Sequence, residues 1–178
     1  MELVETTISD VTQYSLEKTR AETEIDIEVQ YQKERGKPMP SKNHSKIQSR
    51  LSTALNNSYS ENFDIFTEFE LVLLKKKCVP DISIFPIQPS DWENDIIRGT
   101  ETPLLTIEIL SPKQALDDII SKIRSIYFPS GVLSAWVVLP SLKTILVMTP
   151  DGDLKTFKNG NLKDNVSGFD IDLDKLFK

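Results

Sequence analysis

The sequence predicts an α/β (α+β) protein, a mixed central β-sheet flanked by helices. Three observations lead there. Segments that are apolar at every second position, or apolar throughout, recur along the chain and read as strands. Two segments with apolar residues at helical spacing lie between them. The resulting order is strand, helix, three strands, helix, then strands, which suits helices packed on a sheet.

Residues 1–23 are polar without a clear period and predict an extended or poorly ordered arm with room for a short amphipathic helix. Residues 24–178 then form a single domain. In IDIEVQYQKERG, Ile25, Ile27, Val29 and Tyr31 alternate with polar neighbours, which predicts a strand ended by Gly36 and Pro38. In PMPSKNHSKIQSRLSTALNN, Ser41 or Asn43 can cap a helix, and Ile47, Leu51, Ala54 and Leu55 form its apolar side. Asn56 and Asn57 close it. FDIFTEFELVLLKKKCVPDISIFP reads as two strands, 65–73 and 78–85, joined around Lys75, Lys76 and Lys77. The lysine run reads as a solvated strand end or turn. On the second strand Asp81 shares a face with Val79 and Ser83, and Ile82 and Ile84 take the other.

A polar loop follows from Ile87 to Thr102, with Trp92 as a packing anchor or, alternatively, a base-stacking contact. LLTIEIL is an apolar strand interrupted only by Thr106 and Glu108. KQALDDIISKIRSIYF predicts one helix with Leu116, Ile119, Ile120, Ile123, Ile126 and Tyr127 as its stripe, stopped by Pro129 and Gly131. LSAWVVL is a further buried strand with Trp136 in the core. KTILVM and DLKTF form a hairpin around Asp151-Gly152. The tail FDIDLDKLF packs Phe169, Ile171, Leu173 and Leu176 onto the body.

The chain has 178 residues, enough for one well-packed core. No stretch is long and apolar enough to span a bilayer, and MELVETTISD lacks the hydrophobic run of a secretory signal. The single cysteine, Cys78, excludes an internal disulfide framework and a multi-cysteine zinc site, and a reducing cytoplasm is the expected compartment. The net charge of −6 counts against nonspecific coating of nucleic acid, which rests on Lys and Arg. It leaves room for a nuclease, whose metal site needs carboxylates.

Two carboxylates are badly placed for a core. Glu108 stands in the middle of LLTIEIL, and Asp81 follows Pro80 in VPDISIF. An ionised carboxylate among apolar neighbours costs several kcal/mol unless paired or metal-bound. Carboxylates on successive strands can converge and share a divalent cation, and oxygen donors favour Mg²⁺ or Mn²⁺ over zinc. Otherwise each pairs with a buried Arg or Lys, or points to solvent from an edge strand.

Pro80-Asp81, a gap, and an apolar strand carrying Glu108 resemble the PD-(D/E)XK nuclease signature. More closely, GKPMPSKNHSKIQSRLSTAL, VPDISIFP, the DWEND loop, PLLTIEILSP, the helix through Lys122 and Tyr127, and SGVLSAWVVLP resemble the Uma-type family of putative restriction endonucleases, across residues 25–176. The resemblance implies a restriction-endonuclease-like core in which Asp81, Glu108 and the carbonyl of Ile109 bind Mg²⁺ or Mn²⁺. It implies in-line hydrolysis of DNA phosphodiesters. Two residues after Glu108 the family's superfamily carries lysine, and here Leu110 stands instead. The resemblance points to Lys122 on the following helix, at the edge of its apolar stripe; the plain alternative is a surface pair with Asp118. Glu70 reads equally as an accessory carboxylate or as a solvated strand residue, and His44 either as a residue near the site that contacts substrate phosphate or as a plain helix-start or surface histidine. A homodimer would supply the two sites of a double-strand cut, with KTILVM as an edge. The rival expectation is an inactive nucleic-acid- or protein-binding module on the same scaffold.

Overall fold

The computed structural model describes residues 8–178, with side chains from Gln13 onward. The chain forms two compact units, one ending at Met39 and the other running from Pro40 to Lys178.

The first unit is one helix, α1 (Ile8–Arg35). The strand expected over 25–31 is therefore helical, as is the expected arm from residue 8; residues 1–7 lie outside the described residues. The reason lies in the neighbours of the alternating Ile and Val. Pairs four apart run along the helix, Gln13 with Glu17, Arg20 with Glu24, and Gln30 with Glu34. A strand needs a partner for its backbone, whereas a helix satisfies its own. Ile25, Ile27 and Val29 are left more than half exposed. Gly36 ends the helix in the left-handed conformation, its N–H bonding the Gln32 carbonyl.

The second unit opens with α2 (Lys42–Tyr59), capped by the Ser41 hydroxyl, which accepts the His44 N–H. The helix runs past Asn57 to Tyr59. The expected strand over 65–73 is two: β1 (Phe63–Thr67) and β2 (Glu70–Leu73). Glu68 separates them with φ 58°, a left-handed value that breaks the ladder. Leu74 and Lys75 turn the chain, also at positive φ, into β3 (Lys76–Cys78), so the lysine run is an exposed turn and strand start. β4 (Ile82–Pro86), β5 (Arg98–Gly99) and β6 (Leu105–Ile109) follow.

The expected single helix after β6 changes pitch. It is α-helical as α3 (Leu116–Lys122), a π turn over Ile123–Tyr127, and a 3₁₀ turn over Phe128–Ser130. Then come β7 (Ser134–Leu139), β8 (Thr144–Met148), β9 (Leu154–Phe157), β10 (Asn161–Lys163), β11 (Asp170–Asp172) and α4 (Leu173–Leu176).

The main sheet has the order β1-β4-β6-β7-β8-β9, with β6 and β7 parallel and the other pairs antiparallel. The segment from α3 to the 3₁₀ turn is thus the crossover of a βαβ unit. On one face Ile47, Leu51 and Leu55 of α2 pack with Ile82, Ile84, Ile107, Trp136 and Leu173. On the other, Ile119, Ile123 and Tyr127 pack with Phe85, Ala135 and Val137. Period two on β6 sends Ile107 and Ile109 to the α2 face and Glu108 to the α3 face. A second sheet, β3-β2-β5, carries Glu70. KTILVM, expected to offer an edge, is interior, since β8 pairs with both β7 and β9. The outer strand there is β9.

Trp136 is fully buried, and its indole N–H donates to Asp164 at 2.8 Å. Burial pushes the Asp164 carboxyl up, but bonds from Ser134, Ser167, Trp136 and the Val166 N–H outweigh it and hold it below the usual carboxylate range. Stability from such a group is complete above the ordinary value of about 3.9 and lost as pH falls through the lower folded value. Asp164→Asn is expected to cost about 1–3 kcal/mol at pH 7, with a smaller penalty in acid. Urea midpoints at neutral pH and below the carboxylate range check this, and equal penalties at both would contradict it.

Candidate active site

Asp81 stands just before β4, where the antiparallel ladder with β6 ends at the pair Ile82–Ile107. Beyond that pair the N–H of Ile109 has no strand partner on this side, and it donates instead to Asp81 Oδ2 at 2.6 Å. The same oxygen lies 3.0 Å from Nε2 of His44, which is the donor against a carboxylate. The Asp81 main-chain carbonyl accepts the Glu68 N–H at 3.2 Å and Gln48 Nε2 at 3.0 Å. Gln48 also donates to the Glu68 carboxylate at 3.1 Å. His44 and Gln48 are four residues apart on α2, hence on one face. One turn of helix therefore grips both the side chain and the main chain of Asp81.

Glu108 lies at the C-terminal end of β6. Its side chain is 2% exposed, as is that of Asp81. Lys122 Nζ is 2.8 Å from Glu108 Oε1, and the Tyr127 hydroxyl donates to the same oxygen. Burial, then the charge of Glu108, pushes the Tyr127 phenol well above its ordinary value, so it stays a donor. The Asp81 charge acts on the same phenol, which places both carboxylates in the electrostatic reach of one hydroxyl. Below them Ser83 and Thr106 face each other in register; both hydroxyls are buried with no hydrogen-bond partner among the described residues.

The structure brings together Asp81, Glu108, Ile109, Lys122 and His44. Lys122 meets Glu108 rather than Asp118. Glu70 stands in the second sheet opposite Arg98, with which it forms an ion pair; Lys77 lies 3.8 Å away, and the Glu70 charge reaches the Cys78 thiol together with those of Lys122 and Glu108. His44, a candidate for lying near the site or contacting substrate, is 3% exposed, and its ring meets the Asp81 carboxylate. Trp92, expected as a packing anchor, is 92% exposed in a loop with no core beneath it. Cys78 is buried, and burial pushes its thiol up to about 11, against the opposing pull of Lys122. It remains a protonated thiol at neutral pH and a poor metal ligand.

Three residues escaped the sequence reading. Gln48 carried the signal of standing four residues after His44. Tyr127 carried another, since a tyrosine in a buried stripe needs a partner for its hydroxyl. Glu68 was masked by a continuous strand pattern.

Among the described residues no group of three or more His, Cys, Asp or Glu side chains has the geometry of a metal site. The donor set available is two carboxylates and a main-chain carbonyl. Oxygen donors of that kind, without thiolate, suit a hard cation such as Mg²⁺ or Mn²⁺.

Lys122 compensates the buried charge of Glu108. Lys122→Met is therefore expected to destabilise the fold by about 3–5 kcal/mol, and adding Glu108→Gln is expected to restore most of it. Urea midpoints of the two single variants and the double variant measure the coupling. Additive losses would mean that the pair is not coupled.

The sequence profile of Uma2, described as a putative restriction endonuclease family, matches residues 14–171. No curated protein matches the chain. Among solved structures, the 1.96 Å crystal structure of a putative nuclease belonging to DUF820 from Anabaena variabilis matches with a TM-score of 0.69 and 26% identity. The match covers 79% of this chain and 83% of that one. The two share a fold, a mixed central sheet flanked by helices, and the chain belongs to the Uma2 family of putative restriction endonucleases.

Proposed function

We propose that this protein is a metal-dependent endonuclease that hydrolyses DNA phosphodiester bonds at a site built from Asp81, Glu108 and Lys122. The observation that carries the reading is the Lys122–Glu108 contact of 2.8 Å. It brings a lysine from the crossover helix to a strand carboxylate whose next residue bonds Asp81. Asp81, Glu108 and the Ile109 carbonyl would hold Mg²⁺ or Mn²⁺. When bound, such an ion acts as a Lewis acid on the phosphoryl group and favours deprotonation of the attacking water.

The remaining work falls to the chain itself. His44 and Gln48 fix Asp81 from the α2 side. The Lys122 side chain is 20% exposed, so it lies at the border of the core and not sealed within it. From there it orients a water molecule and stabilises the negative charge that builds on the phosphoryl oxygens. A fixed positive charge aimed at developing charge is worth most where water is excluded, as beside a carboxylate this deeply buried.

Cleavage of supercoiled plasmid with Mg²⁺ or Mn²⁺ tests the reading. Asp81→Ala and Lys122→Ala are each expected to lower the rate at least about 100-fold. Activity surviving Asp81→Ala would place the chemistry elsewhere. No cutting of plasmid or single strands by the wild type would favour the binding-module alternative. A double-strand cut needs two sites, and a homodimer meets that need. Light scattering at micromolar concentration is expected to give the mass of two chains, and a monomer mass would remove the dimer.

A further inference from the structure

Tyr127 is completely buried, yet its one polar atom is directed at Glu108. Packing alone does not ask for it. In the cluster with Ile119, Ile123 and Val137, a phenylalanine would fill the same space without requiring a partner for a hydroxyl. The hydroxyl instead meets the same carboxylate oxygen as the Lys122 amine.

The helix is built to allow this. Lys122 and Tyr127 are five residues apart, and in an α-helix residues five apart point about 140° from each other. Between them the helix becomes a π turn, with the Phe128 N–H bonding the Ile123 carbonyl five residues back. The slower winding swings Tyr127 back until it stands where a residue four after Lys122 would stand in an α-helix. Lys122 Nζ then lies 5.8 Å from the centre of the Tyr127 ring, close enough for cation–π attraction to steady the amine.

We propose that Tyr127 is a positioning residue of this site: with the π turn that aims it, it fixes the orientation of Glu108 and Lys122 for binding the divalent cation. The inference rests on the nuclease reading above. A carboxylate has lone pairs on both oxygens. Two donors seated on Oε1 restrain the group from rotating, and a cation held with Asp81 would find the Glu108 carboxylate already fixed. They also divide the hold on Oε1, so that Lys122 is not the sole partner of Glu108 and remains able to serve the attacking water.

Tyr127→Phe keeps the ring and removes the hydroxyl; Tyr127→Leu removes both. Mn²⁺ binding is read without DNA, from the loss of the free-ion electron paramagnetic resonance signal, beside plasmid cleavage and thermal melting. For Tyr127→Phe, Mn²⁺ affinity and kcat are each expected to fall about 10-fold or more, as when an outer partner of a metal ligand is removed. KM for DNA should stay unchanged, and Tm should stay within a few degrees of the wild type. Tyr127→Leu should show the same losses with a lower Tm. A Phe variant that binds Mn²⁺ and cuts like the wild type, while Glu108→Gln does neither, overturns the role of Tyr127 and leaves the nuclease reading standing. So does a Phe variant melting more than about ten degrees lower, since the hydroxyl would then hold the fold rather than the site. A wild type that neither binds Mn²⁺ nor cuts overturns the nuclease reading, and this inference with it.

Discussion

Two carboxylates lie just under the surface at one end of the main sheet, each only 2% exposed. Removing an ionised group from water costs several kcal/mol unless the protein supplies donors. Much of the local architecture is that supply. Asp81 takes the orphaned N–H of Ile109 and the imidazole of His44, and Glu108 takes Lys122 and Tyr127. His44 arrives with α2 on one face of the sheet, and Lys122 and Tyr127 arrive with the crossover on the other. The site therefore sits where the two cores meet, and the position of each helix is tied to a buried charge.

Stability alone does not explain such an arrangement. A buried ion pair can often be exchanged for well-packed apolar groups with no loss, whereas removing one partner is costly. Glu68 adds to the expense by holding a left-handed φ of 58° beside Asp81, a conformation unfavourable for a residue with a Cβ. Its N–H and its carboxylate are both engaged with the group of Asp81 and Gln48. Backbone strain, buried charge and a π turn in one neighbourhood are features more readily accounted for by chemistry than by folding.

The strands of the sheet core were legible in the sequence because each is apolar through both faces or alternates cleanly. That is why β6, β7 and the β8–β9 hairpin lie where periodicity put them. Asp81 and Glu108 were legible for the converse reason, as charges that violate that pattern. What was not legible depends on partners or on pitch. The alternating Ile25, Ile27 and Val29 read as a strand, but a strand exists only against a neighbour, and helix-forming pairs four apart prevail along α1. The strand through Glu68 read as continuous because a single left-handed residue leaves no trace in hydrophobic alternation. After that break Glu70 starts a strand of the second sheet, where it pairs with Arg98. The π turn was hidden in the same way. A stripe drawn at 3.6 residues per turn includes Tyr127 as a core residue and cannot show that its hydroxyl meets the same oxygen as Lys122.

The position two residues after Glu108 shows how the site tolerates leucine there. Leu110 lies on the same face of the strand path as Glu108, and it packs against the cluster of Ile119, Ile123 and Tyr127. A lysine at 110 would have to place its amine beside Glu108 from along the strand, with its stem in that apolar cluster. Here leucine fills the cluster, and the amine comes from above, from the C-terminal end of α3. The crossover makes this route short, because a βαβ unit returns its helix over the strand it has just left. The lysine amine sits at the end of a flexible four-carbon stem, so other groups are needed to hold it in place. Glu108 and the ring of Tyr127 provide that restraint. If Lys122 serves the nuclease site proposed above, a lysine on the helix rather than the strand places the burden of precision on the turn that follows it, where the helical pitch changes.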